Sequence, residues 1–282
     1  MNFLCLLSAI FFFVGNVVTI VYYAIDYRHA NLTENLDDYL ELDPQYLMTR
    51  WSFRSESFPM YISAGILNTL AWFLFMFPVV QLSWILSQGG TKWISAHVAM
   101  AIFVLTGSLT EWIASFLYIG SSMTAQLLVQ NFNLDNWISE NAGDFLGWRT
   151  LEVTHVVSFG LVSIVGAIEW ILMAIIMMII HFSVRRWQRE VDQTTFGACW
   201  NALGLFISLF CILEFVTEVL RLYGASRYFN QLAFWYSASL RLVFIPTWLL
   251  ILGMRLSYAS LKLNQQAHMR QAADATTPAP EN

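Results

Sequence analysis

The chain has 282 residues, of which 57% are hydrophobic and only 12% are charged, and its mean hydropathy is +0.56. A soluble domain carries about twice that charged fraction, and the formal net charge of −5 argues against a nucleic-acid partner. The three cysteines, Cys5, Cys199 and Cys211, all fall in apolar segments, so the sequence predicts neither a disulfide framework nor a cysteine metal site.

Six apolar runs are long enough to cross a bilayer as helices, since about 18 apolar residues mark a spanning helix. These runs lack the alternation of apolar and polar residues that is typical of a membrane β-barrel. We therefore predict an all-α fold, a polytopic membrane helix bundle of about six transmembrane helices in a single domain over residues 1–257. The predicted spans cover residues 3–25, 59–86, 93–118, 150–182, 197–223 and 232–257.

The first run has the position of a signal peptide, but no basic residue precedes it and it has no clear small-x-small cleavage site. We therefore predict that it stays as the first transmembrane helix. The acidic segment that follows, residues 26–58, contains an N-glycosylation sequon at Asn31.

Two of the later spans contain a proline, Pro78 in the second and Pro246 in the sixth, and each is a predicted kink. A second polar segment, residues 119–149, separates the third and fourth spans. After the sixth span we predict a brief helical extension and then a largely disordered cytoplasmic tail over residues 258–282.

Basic residues predict the orientation, because cytoplasmic segments are enriched in lysine and arginine. They lie in the short turn between spans two and three, between spans four and five, and around the tail: Lys92, Arg185, Arg186, Arg189, Arg255, Lys262 and Arg270. With six spans, both termini are then cytoplasmic, and the segments 26–58 and 119–149 are outside or lumenal. This pattern predicts an integral protein of the plasma membrane or of a secretory-pathway membrane.

Ionisable side chains at membrane depth are costly and mark candidate functional sites. The candidates are Glu111, His155, Glu169, Glu214, Glu218 and Arg241. Counted from the span ends, Glu111, Glu214 and Arg241 fall at one level in the outer half of the bundle. We expect a buried ion-pair cluster there, with Glu214 paired to Arg241.

The remaining candidates have less obvious partners. Glu218 and Arg221 stand three residues apart, a spacing that lets side chains on a helix meet. Glu111 is left with His155 as its candidate partner. Glu169 lies near the middle of the fourth span, on the face of His155, with no evident partner, so we predict that it binds and releases a proton or a cation.

Metal and haem sites are incomplete in the sequence. Glu152-x-x-His155 is half of a di-iron motif, but the matching position of a second motif is Arg221, which cannot ligate iron. His97 and His181 lie near helix ends, where a histidine more often sits at the interface than binds haem. We predict no cofactor.

These features favour an ion- or proton-coupled small-solute transporter or channel. The alternative is a non-transporting scaffold, receptor or complex subunit, in which buried ion pairs only hold helices together. A membrane enzyme is the least favoured. The predicted partners are the lipid bilayer and a small ion or solute, with a protein partner or a second copy of the chain left open.

Overall fold

A computed structural model describes residues 2–29, 58–87, 94–131, 142–191, 194–221 and 235–276. Almost all of these residues are helical, and none of them is in a strand; the exceptions are at residues 2, 191 and 194–197. The helices are α1 (Phe3–His29), α2 (Phe58–Ser87), α3 (Ile94–Asn131), α4 (Ala142–Glu190), α5 (Ala198–Arg221) and α6 (Ile245–Thr276). A π-helical turn, Leu240–Phe244, and helical residues 235–239 lead directly into α6.

Six described segments are long and apolar enough to cross a membrane, which confirms the prediction of an all-helical chain with six helices of spanning length. They are Phe3–Tyr22, Phe58–Ser87, Ala96–Leu128, Ile164–Glu190, Ala198–Leu220 and Trp235–Lys262. The length and composition of these helices are those of a multi-pass integral membrane protein.

Helices α3 and α4 are longer than the sequence predicted. Most of the predicted polar segment 119–149 is helical, since α3 continues to Asn131 and α4 begins at Ala142. With 49 residues, α4 is about 74 Å long, more than twice the hydrocarbon thickness. The candidate membrane span among its described residues is Ile164–Glu190. Pairing of charges within the helix, as between Arg149 and Glu152, lets the helix continue past its apolar stretch.

The C-terminal segment also differs from the prediction, because α6 continues to Thr276 instead of ending soon after residue 257. The last six residues lie outside the described part of the chain, as does most of the acidic segment 26–58 with the predicted glycosylation site at Asn31.

The helices form a closed bundle in chain order. Each helix packs against the next one, and α1 also packs against α6 and the π-helical turn. Aromatic side chains fill the centre, where Phe75 of α2 meets Trp248 of α6 edge-on and Trp248 stacks on Trp200 of α5. Burial of such large side chains holds together helices from distant parts of the sequence.

Small polar groups join α4 to α5. The hydroxyl of Ser208 donates to the carbonyl of Ala174 at 2.9 Å. His181 and Asn201 interact twice, through the His181 ring with the Asn201 carbonyl and through the Asn201 amide with the His181 carbonyl. Such bonds are typical of helix contacts within membranes, and they give His181 a packing role.

The π-helical turn before Pro246 is the main irregularity among the described helices. Its last bond runs from the Ile245 N–H to the Leu240 carbonyl, one residue wider than an α-helical bond. Pro246 has no N–H and its ring crowds the preceding turn, so the helix widens just before it. The predicted kink at Pro246 therefore takes the form of a π-turn, whereas α2 remains α-helical around Pro78.

Candidate functional site

A small internal cavity lies where α1, α2, α3, α4 and the π-helical turn meet. Its volume is about 50 Å³, and it is partly open. The polar side chains on its wall come from five different elements: Asn16, Asn68, Glu111, Glu169 and Arg241. Aromatic and aliphatic side chains complete the wall, among them Trp72 and Trp170. Three ionisable groups that are distant in sequence therefore converge on one space.

Two carboxyl groups line the cavity. They belong to Glu111 of α3 and Glu169 of α4, and the two groups are within electrostatic range of each other. Both glutamates are half-buried as whole residues, but Oε1 of Glu169 is fully buried and has no hydrogen-bond partner among the described groups. On the other side, the Ser115 hydroxyl donates to Oε1 of Glu111 at 3.4 Å.

Arg241 supplies the positive charge of the cavity. Its guanidinium carbon lies 4.6 Å from the centre of the Trp170 ring, a cation–π contact worth about 0.5–2 kcal/mol. The same guanidinium is within electrostatic range of Glu169. Its Nε is buried with no hydrogen-bond partner within the described part of the chain.

Two asparagines form the neutral side of the cavity. The Asn16 amide donates to the Phe12 carbonyl at 2.7 Å and to Oδ1 of Asn68 at 3.2 Å. Gly15 allows α1 and α2 to approach here, since a Cβ at this position would lie only 2.5 Å from Oδ1 of Asn68. Asn68 thus offers a carbonyl oxygen next to the charged groups.

Of the predicted pair Glu214 and Arg241, only Arg241 lines the cavity. Its guanidinium lies against Trp170 of α4. Glu214 is only 1% exposed and is close to Tyr236, while the buried Cys211 lies within electrostatic range of both Glu214 and Arg241. Glu214 is thus a neighbour of the cavity but does not line it.

Glu218 lies one turn beyond Glu214 and does not line the cavity. The side chain of its predicted partner, Arg221, is outside the described residues.

His155 is fully buried, but it is far from the cavity. It precedes Glu169 by 14 residues, or about 21 Å along α4. Glu169, and not His155, therefore lines the cavity together with Glu111.

The half-motif that includes His155 has another explanation. Glu152 accepts hydrogen bonds from Arg149 and from the indole N–H of Trp148, the latter at 2.9 Å. Across the described segments, no three His, Cys, Asp or Glu side chains come together as metal ligands would.

Sequence reasoning missed the neutral half of the cavity, Asn16 and Asn68. Both stand in strongly apolar runs, and an amide at membrane depth needs a hydrogen-bond partner. The two asparagines could therefore have been found in the sequence, but a search for charged residues alone does not include them.

Comparisons with known proteins give no assignment. No family model, no curated protein and no solved structure matches the chain. The inference of function therefore starts from the cavity and its charges.

Proposed function

We propose that this multi-pass membrane protein moves a proton or another small ion across its bilayer, and that Glu111 and Glu169 bind that ion. The observation that carries the proposal is the convergence of Glu111, Glu169 and Arg241 on one internal cavity. Ionisable groups at membrane depth are rare and usually mark an ion pathway.

The size of the cavity supports a small ion as its occupant. A cavity needs about 10–15 Å³ to hold one water molecule, so about 50 Å³ accommodates a few waters or a small ion with a water. A sugar or an amino acid needs several times that space, since ligand pockets are typically about 300–1,000 Å³.

The carboxyl pair can hold and release a single proton. A hydrogen bond between two carboxyl groups needs one of them to be protonated, and two ionised carboxylates at this range repel each other. With one shared proton, one negative carboxylate remains, and the Arg241 guanidinium balances it. The site is then neutral, which lowers the cost of keeping it away from water.

The orientation follows the distribution of basic residues. Lys92, the three arginines near the C-terminal end of α4 and the basic residues of α6 favour a cytoplasmic location for both termini. The cavity then lies in the outer half of the bundle, and the acidic segments 26–58 and 119–149 face the outside or the lumen. We place the protein in the plasma membrane or a secretory-pathway membrane, with Asn31 on the glycosylated side.

Proton flux into liposomes tests the proposal. Purified protein is reconstituted with a pH-sensitive dye inside the vesicles, and a pH step is applied under a clamped membrane potential. We expect wild-type protein to accelerate equilibration and Glu169→Gln to lose most of that effect, because an amide cannot bind a proton in the same way. Glu190→Gln is the matched control, since Glu190 is a carboxylate of the same helix that pairs with Arg186 far from the cavity.

Flux that is equal in Glu169→Gln and wild type would contradict the proposal. Absence of flux in every variant would favour the scaffold or complex-subunit role, in which the three charged groups only join helices.

A further inference from the structure

The charges on the wall of the cavity define what it can hold. Glu111 and Glu169 contribute two negative charges when both are ionised, and Arg241 contributes one positive charge. The net charge is then −1, which matches one proton or one monovalent cation. A divalent cation would leave an uncompensated positive charge in a buried space.

Oxygen atoms are the potential ligands. Oε1 of Glu169 is buried without a hydrogen-bond partner among the described groups, and the carboxyl group of Glu111 lines the same cavity. Oδ1 of Asn68 accepts from Asn16 and keeps a second lone pair. Carboxylate, hydroxyl and carbonyl oxygens are the ligands that hard cations prefer, and irregular helices in transporters bind sodium with such groups.

We infer that the cavity binds one monovalent alkali cation in exchange for the proton shared by Glu111 and Glu169. The inference rests on the proposed function for the identity of the site, and it adds the second ion. In the exchange the cation enters the oxygen ligands of the cavity, the shared proton passes to water, and the net charge of the site stays at zero.

The charged and titratable groups around the carboxyl pair are consistent with a single exchangeable proton. Glu111 comes from α3 and Arg241 from the π-helical turn, whereas α1 and α2 contribute neutral amides. From α5, Cys211 is within electrostatic range of Glu214 and of Arg241, and neither Cys211 nor Glu214 lines the cavity. Because cation binding displaces a proton, the affinity for the cation falls as the pH falls.

Proton release in weakly buffered detergent solution tests the inference directly. Sodium chloride is added to full-length protein, and the released protons are counted with a pH dye. Intrinsic tryptophan fluorescence, to which Trp72 and Trp170 on the cavity wall contribute, reports binding. We expect one proton released per sodium ion bound, saturation with sodium and weaker apparent binding at lower pH. Choline chloride and magnesium chloride should release no protons at matched ionic strength.

Variants separate the site from the rest of the protein. Glu169→Gln should weaken sodium binding by about tenfold or more, because loss of a side chain that contributes to a metal site typically lowers the affinity to that extent. The same substitution should abolish proton release. Glu190→Gln should behave like wild type. If Glu169→Gln does not fold, as judged by its thermal unfolding curve, Glu169→Asp keeps the carboxylate and should still release one proton with altered affinity.

Two results would overturn the inference: sodium that releases no protons from wild type, or equal release from folded Glu169→Gln. Proton flux in liposomes together with no sodium-dependent proton release would contradict the alkali-cation site and leave the proposed proton transport intact. Proton release without flux in any vesicle would support the cation site and contradict transport.

Discussion

Arg241 lines the same cavity as the two carboxyl groups of Glu111 and Glu169. It lies over Trp170 and within electrostatic range of Glu169, so one guanidinium serves both the packing and the charge of the site. Without it, any unprotonated carboxylate in the cavity would be a buried charge with no counter-charge on the cavity wall.

Removal of this charge should destabilise the protein. We expect Arg241→Gln to lower the free energy of unfolding by about 3 kcal/mol, since breaking a buried charge pair from one side leaves the partner uncompensated. Arg241→Lys keeps the charge but loses the flat contact with Trp170, so its loss should be smaller. Thermal unfolding in detergent, followed by tryptophan fluorescence, measures both. Unfolding curves of Arg241→Gln that match wild type would show that the charge is not needed.

Residue types at membrane depth were predictable from the sequence, but their neighbours were not. Glu111, Glu169 and Arg241 stand out because charged residues interrupt apolar runs. The partner of each depends on the order of helices around the bundle and on the rotation of each helix. The sequence therefore suggested His155 for Glu111 and Glu214 for Arg241, whereas the structure brings Glu111, Glu169 and Arg241 together around one cavity.

The π-helical turn positions Arg241. Pro246 cannot donate a backbone hydrogen bond, and the helix before it widens over Leu240–Phe244. The extra residue in this turn changes the direction of every side chain before it relative to α6. In helices generally, such turns are found often at functional sites.

Replacement of Pro246 should disturb the site without touching any of its charged groups. In Pro246→Ala the restored N–H lets the turn relax to an α-helix, which rotates Arg241 by about 100° relative to α6. We expect sodium-dependent proton release to be lost while the helix content, measured by circular dichroism, is retained.

Pro78→Ala is the matched control for this experiment, because Pro78 lies in a helix that shows no π-turn around it. It should retain proton release. An unchanged response in Pro246→Ala would mean that the π-turn does not set the position of Arg241.

The ends of the elements were the least predictable feature at this scale. Hydropathy located the apolar centre of each span, but it cannot tell how far a helix continues into water. Polar contacts within the helix, such as the Arg149–Glu152 and Arg186–Glu190 pairs at the two ends of α4, stabilise the extra turns.

The six helices form a ring in which the first contacts the last, and the cavity lies where five elements meet. The number of spanning helices was predictable, because an apolar run of sufficient length has few other folds available in a membrane. The closure of the ring was not, because lipid-facing and core-facing apolar residues look alike in the sequence. Trp248 and Leu109, for example, are both strongly apolar, yet the first is fully buried and the second is half exposed.

The central claim is that Glu111 and Glu169 share one proton in a cavity balanced by Arg241. Infrared difference spectroscopy of the purified protein tests it most directly, since a protonated carboxyl group has its own carbonyl stretching band. We predict that wild-type protein shows this band and that Glu169→Gln lacks it. Sodium should remove the band from the wild-type protein, whereas choline should leave it unchanged. A band that is the same in Glu169→Gln and wild type would contradict the claim.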